Sequence, residues 1–211
     1  MSAHTRAASQ RGLASNLLAP ARARKCTRAR RSQLTLHVYS RAALAIGLAP
    51  ALERAPMPRV LTVLSAGVHG SYSKWDSDVD LSKGAYSIKN AADAAGVYND
   101  VLVEQMSVAH PKVAYTHASP GFVNTNWGEE MPLPVKFLVR CLQPFGRSPA
   151  KCADKLVGGM VAAQGDKTGG WYLIDQDGVA SPKPAKVHEA AKGPVWEHII
   201  RVVRDKGAQS K

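Results

Sequence analysis

Tyr86 is followed by Lys89 and Asn90, three and four residues on, in the stretch Tyr-Ser-Ile-Lys-Asn-Ala-Ala. A free phenol titrates near 10, so a phenol that exchanges protons near neutrality needs a neighbouring cation. On a helix that includes Tyr86, each residue advances about 100°, so Asn90 falls about 40° from Tyr86 and Lys89 about 60° on the other flank. Asn90 has the better position and no charge; Lys89 has the charge and the poorer position. A hydroxyl, Ser65, closes the apolar run Arg-Val-Leu-Thr-Val-Leu-Ser of residues 59–65. The carboxyl ends of such runs are where open α/β sheets bind ligands. His37 adds a side chain that titrates near neutrality and can relay protons. Cys26, Cys141 and Cys152 form neither a Cys-x-x-Cys pair nor a ligand cluster. They argue against a disulfide scaffold or a structural zinc site, and they fit a reducing compartment.

These residues must be positioned by elements that the sequence also marks. Helical spacing of Leu36, Tyr39, Ala43, Ile46 and Ala49 predicts a helix that Pro50 tightens near its end and that stops by Arg54. The β-branched run 59–65 reads as a strand covered on both faces, as in a parallel sheet. Residues 66–82 read as a loop, 84–109 as a long helix and 112–118 as a second strand closed by Pro120-Gly121. A loop then leads to a helix at Ser148-Pro149, where Ser caps and Pro takes the first position. Residues 171–175 read as a third strand, Asp177-Gly178 as its turn, and 194–204 as a final amphipathic helix. The alternation predicts an α/β domain with a parallel sheet over residues 35–206.

Charge is unevenly spread. The net charge is +12, yet nine Lys/Arg and no acid precede Glu53, while the other 19 Lys/Arg face 16 acids. The excess belongs to the front of the chain. Residues 1–34 are read as a basic, disordered leader. Their Arg- and Ser-rich composition also suits a mitochondrial or plastid transit peptide, or a nucleic-acid-binding arm, and a truncated gene model is a further alternative. A nucleic-acid partner ranks last, because no aromatics interleave the basic residues. Residues 207–211 read as a disordered tail. No apolar run is long enough to span a membrane. The localisation expected is cytoplasmic, with organelle import left open.

Three local patterns in this order resemble a known family. Residues 59–67 resemble the strand of the short-chain dehydrogenases/reductases that ends in a catalytic serine. Residues 86–92 are similar to that family's tyrosine-bearing helix start. Ser119–Trp127, Ser-Pro-Gly-Phe-Val-Asn-Thr-Asn-Trp, looks like its loop beside the nicotinamide. The resemblance covers residues 36–205. It implies a partial Rossmann-like, doubly wound sheet with flanking helices, and oxidation or reduction of a small alcohol or carbonyl with NAD(P)(H).

By the same resemblance, Ser65 orients the substrate oxygen and Tyr86 is the acid/base. Pro120, Gly121, Val123 and Thr125 receive the nicotinamide, with Gly121 allowing close approach and Thr125 bonding the carboxamide. Trp127 is a pocket aromatic or a core one. Two positions depart from the family pattern. Asn90 stands where its lysine is expected, leaving Lys89 as the nearest cation, and His37 falls where a helix asparagine supports a proton relay. Tyrosine activation is therefore expected to be impaired. The 21 residues between Ser65 and Tyr86 suggest a modified substrate lid. The family's first strands and its glycine-rich phosphate turn have no counterpart here. Weak or absent dinucleotide binding is accordingly expected, and residues 59–65 are expected to form an open sheet edge. The other reading is a non-catalytic remnant that serves as a binding or homodimerisation module, through helices resembling 36–54 and 84–109.

Overall fold

The computed structural model describes residues 33–125, 133–180 and 184–209. The basic leader through residue 32 and Trp127 lie outside the described residues. A π-helical turn, Thr35–Tyr39, runs into helix α1, Ser40–Leu52, and strand β1 follows at Arg59–Val63. Helix α2 is Ile88–Ala109, and β2 is Ala114–Ala118. Then come α3 (Leu133–Leu142), a 3-10 turn at Gln143–Phe145, α4 (Pro149–Gln164), β3 (Gly170–Ile174) and α5 (His188–Gln209).

The strands form one 3-stranded sheet in the order β1-β2-β3, parallel throughout, with Val63 beside Ala118 and Ala118 beside Ile174. The central strand is buried along its whole length, whereas β1, the run expected to be covered on both faces, is mostly half-buried. One face of the sheet carries α1, α2 and α5 over a core of Val97, Val101, Tyr115 and Ile199. The other carries α4, whose Cys152 and Leu156 pack on Ala118 and Ile174. Helices on both faces of a parallel sheet make this a partial Rossmann-like α/β architecture.

Several expected boundaries move. The long helix begins at Ile88 rather than residue 84, because the Ser87 hydroxyl accepts from Asn90 N–H at 3.0 Å and sets the cap there. The last helix starts at His188 and continues to Gln209, so residues 207–209 of the expected tail are helical, with Pro194 in its first turns. Helix α3 was not expected; Val139 is its buried residue, while Leu133, Phe137 and Leu138 are exposed. The cap at Ser148 is as predicted, its hydroxyl accepting from Lys151 N–H.

Strand β1 is an edge. Leu64 N–H donates to the Ala118 carbonyl, and Ala114 N–H to that of Pro58, so the even-numbered residues of β1 face β2. A cavity of about 400 Å³ lies along the other side of the strand, lined by Val60, Leu61, Thr62 and Val63 with Leu44, Leu48 and Leu52. Arg41 occupies part of that edge, donating to the Val63 carbonyl at 2.9 Å and to Thr62 Oγ1 at 2.6 Å. No described helix is long and apolar enough to cross a membrane.

Candidate active site

The carboxyl ends of β1 and β2 open into a cavity of about 560 Å³. Val63 from β1 forms one wall. Beyond β2 the chain turns through Ser119 and Pro120, and Gly121 takes φ +65°, a left-handed value that suits glycine. A Cβ at Gly121 would lie 2.0 Å from Gln176 Oε1, so the close approach the glycine permits is by this side chain. The following loop is stitched to the start of α4: Asn124 N–H donates to the Arg147 carbonyl at 2.8 Å, and Arg147 N–H to that of Phe122 at 2.9 Å. Gln143 Nε2 donates to the Thr125 carbonyl at 2.5 Å. Pro120, Gly121, Val123 and Thr125 thus all line the one cavity, with Cys152 and Leu156 of α4 opposite. Its walls are largely apolar and Thr125 is the lining residue that carries a hydroxyl, a composition that suits a flat ring with one hydrogen-bonding group.

Ser65 lies two residues beyond β1, and its hydroxyl is buried without a partner among the described residues. A buried unpaired hydroxyl costs about 1–3 kcal/mol, a state Ser65 shares with the Tyr115 and Thr116 hydroxyls. Tyr86 is half-buried against the main core. It precedes the Ser87 cap, so it is not on the helix, and the angular relation expected between it, Lys89 and Asn90 does not hold. Lys89 Nζ instead donates to Asp93 Oδ2 at 2.5 Å, and Asn90 Nδ2 to the Ala85 carbonyl at 2.7 Å. Among the described residues no hydrogen bond joins Tyr86 to Ser65, Lys89 or Asn90. His37 lies in the π-helical turn. Its carbonyl accepts from Asn99 Nδ2 at 2.8 Å, and its ring Nδ1 is buried and unpaired. Burial and then nearby Arg41 lower its pKa, which favours the neutral ring. The structure therefore gathers the loop residues into one cavity and leaves Ser65, Tyr86 and His37 separately anchored.

The segment between Ser65 and Tyr86 is tied down rather than free. Tyr72 Oη donates to the Asp78 carbonyl, and Tyr98 Oη to that of Val79, both at 2.7 Å. Asp78 accepts from the backbone N–H groups of Lys83 and Ala85. Gly70 N–H donates to Asp93 Oδ1, and Gly96 leaves room for the His69 ring, which a Cβ there would meet at 2.3 Å.

Sequence reasoning missed the strongest polar cluster. Asp100, fully buried on α2, bonds His117 Nδ1 of β2 at 2.6 Å and His69 Nε2 of the braced loop at 2.9 Å. The two rings lie 6.4 Å apart, 17° from parallel. Ser65 N–H donates to His117 Nε2 at 3.1 Å. That nitrogen must be an acceptor, so His117 is neutral with its proton on Nδ1. His69 faces an acceptor at each nitrogen, Asp100 at Nε2 and the Gly70 carbonyl at Nδ1, an arrangement that suits the imidazolium. Burial works against charge on His69, but Asp100 outweighs it and raises the pKa. For His117 burial dominates its bond to Asp100 and lowers the pKa. Burial pushes the Asp100 carboxyl up, and its two histidines pull it below the ordinary range. The sequence signals were Asp100 within an otherwise apolar helix stretch and His117 inside a buried strand.

One described group has metal-ligating types together: Glu104, His188 and Glu189, with ligand atoms within 4.8 Å of one another. Lys192 Nζ already lies 3.0 Å from a carboxylate oxygen of each glutamate, and His188 Nε2 2.5 Å from Glu104, so the carboxylates already have partners.

No family model matches the chain, and no solved structure matches it. Two curated proteins do. The oxidoreductase AN1596 of Emericella nidulans is 28% identical over 168 residues, 77% of this chain and 47% of that protein. The NmrA-like family domain-containing oxidoreductase notO of an Aspergillus strain is 30% identical over 116 residues, 55% of this chain and 32% of that protein. The chain spans less than half the length of these relatives. What it is similar to, over most of its own length in the first case, is an oxidoreductase.

Proposed function

We propose that the chain carries the substrate and nicotinamide side of an NAD(P)-dependent oxidoreductase of the short-chain type, acting on a small carbonyl or alcohol. The observation that carries this reading is that Pro120, Gly121, Val123 and Thr125 line one cavity at the carboxyl ends of the strands. Two relatives named as oxidoreductases, one of them NmrA-like, support it. The residues present fit a nicotinamide: apolar walls for its faces and the Thr125 hydroxyl for its carboxamide. Such a cofactor supplies or accepts a hydride when bound. Ser65, with its unpaired hydroxyl, orients the substrate oxygen. Tyr86 gives a proton to that oxygen on reduction and takes it back on oxidation. With Lys89 held by Asp93, the phenol has no adjacent ammonium, and this proton transfer is slow.

The test is NADPH oxidation with a panel of small aldehydes and ketones, comparing the wild type with Ser65→Ala and Tyr86→Phe. Turnover lost in both variants supports the assignment; turnover unchanged in Tyr86→Phe removes it.

The open edge of β1 favours a second reading, a non-catalytic module that pairs with a second copy. Leu44 and Leu48 are 63% and 54% exposed beside that edge. Of the small residues on α2 that would permit close helix contact, Ala91, Ala94 and Ala95 are buried in the chain's own core and Ala92 is exposed. Sedimentation at micromolar concentration decides: a monomer there excludes this reading.

A further inference from the structure

The chain to be explained runs from the loop through α2 and β2 to the end of β1. His69, Asp100, His117 and the Ser65 amide are joined by successive hydrogen bonds of 2.9, 2.6 and 3.1 Å. Every side chain in it is at most 3% exposed. Leu64 N–H is the last ladder donor of β1 toward Ala118. One residue later the ladder is over, and the acceptor for Ser65 is a side chain. The Ser65 amide is thus held by one imidazole nitrogen, while its carbonyl accepts from the Val68 and His69 N–H groups. Its hydroxyl is buried without a partner among the described residues.

We propose that His117 is a positioning residue for Ser65, holding the Ser65 amide through Nε2, while Asp100, itself anchored by His69, fixes the tautomer that makes Nε2 an acceptor. The proposal deepens the reading of Ser65 as the group that orients the substrate oxygen, and it rests on that reading for its consequence in catalysis.

The same geometry sets a pH response. Protonated His117 has no acceptor, so its Nε2–H would oppose the Ser65 N–H. The groups facing it are Asp100 from α2, which favours the proton, and His69 from the loop and Arg41 from α1, which oppose it. Release of Ser65 therefore falls on the acid side of the ordinary histidine range.

Two substitutions divide the ring between its functions. His117→Asn keeps a donor near the Nδ1 position, toward Asp100, and removes the acceptor for Ser65. His117→Gln places an amide oxygen near the Nε2 position and cannot titrate. The experiment is residue-resolved amide exchange by NMR on the whole chain, expressed as protection factors from pH 5 to 8. Leu64 is the internal control, because its amide is bonded in the strand ladder. In the wild type, Ser65 protection falls toward acid pH while that of Leu64 holds. His117→Asn lowers Ser65 protection at least tenfold at neutral pH and leaves Leu64 within twofold. His117→Gln restores Ser65 protection and removes its acid dependence. Equal losses at Ser65 and Leu64 mean that His117 serves only general stability, and they overturn the proposal. So does Ser65 protection unchanged in His117→Asn. Exchange is read without substrate: a selective Ser65 effect beside undiminished turnover in Ser65→Ala supports the positioning and overturns the catalytic reading of Ser65.

Discussion

Replacing Asp100 by Ala should be among the most destabilising single changes in this protein. Both carboxylate oxygens are used, at 2.6 Å to His117 and 2.9 Å to His69, and the side chain is fully buried. Its loss strands a His69 imidazolium that is 3% exposed, with Asp93 the remaining acid near it. Breaking a buried pair by removing one partner costs about 3–5 kcal/mol. Asp100→Asn is milder. Its oxygen can accept from His117 Nδ1–H, and its amide can donate to His69 Nε2 if His69 gives up its charge. The net loss is then one charge-assisted hydrogen bond, about 1.5–3 kcal/mol. Urea unfolding at pH 6.5 measures both, with an unchanged denaturant slope showing that only stability has moved. A loss of less than about 1 kcal/mol in Asp100→Ala would refute the network as drawn.

The remaining predictions concern pH, the cavity loop and the sheet edge. The folded pKa of His69 is raised, so its contribution is full below the unfolded value near 6.5 and is lost as pH rises through the folded value; His117 is lowered, so its contribution is lost as pH falls below about 6.5. Stability should therefore peak near pH 6.5, and His69→Asn should flatten the alkaline decline when urea midpoints are compared from pH 5.5 to 8.5. Gly121→Ala forces a side chain into φ +65° against Gln176 and should cost about 1–2 kcal/mol by thermal unfolding, only partly rescued by Gln176→Ala. Thr125→Val should weaken nicotinamide binding by one hydrogen bond, roughly 2–10-fold in a titration by NMR. Leu48→Asp, at the groove beside β1, should abolish any self-association seen by sedimentation without lowering the urea midpoint.

Much of the fold could be read along the chain, because β-branched runs and helical spacing are local signals. The Ser148 cap and the three parallel strands are where residue types placed them, to within two residues. The start of α2 was misplaced because the capping signal, Ser87 with its bond to Asn90 N–H, lies after the tyrosine that drew attention. That error carried into the site, since Lys89 and Asn90 were placed around Tyr86 on a helix that does not contain it. Helix α3 is short, and of its apolar residues Val139 is buried while Leu133, Phe137 and Leu138 are exposed. The cavity loop is visible as a motif, and its four residues line one cavity. The histidine–aspartate network is legible only as isolated signals, Asp100 in α2 and His117 in β2, and not as a network. It joins residues 17 and 31 positions apart across a loop, a helix and a strand, and only the fold brings them within hydrogen-bonding distance.

Whether the cavity at the strand ends takes a nicotinamide ring is tested most directly by titrating reduced nicotinamide mononucleotide into the ¹⁵N-labelled chain. Shifts confined to the amides of Gly121, Val123, Thr125 and Cys152, and saturating with a single affinity, are the predicted result. No saturable shift at millimolar ligand, or shifts confined to the groove beside Leu44 and Leu48, would contradict it.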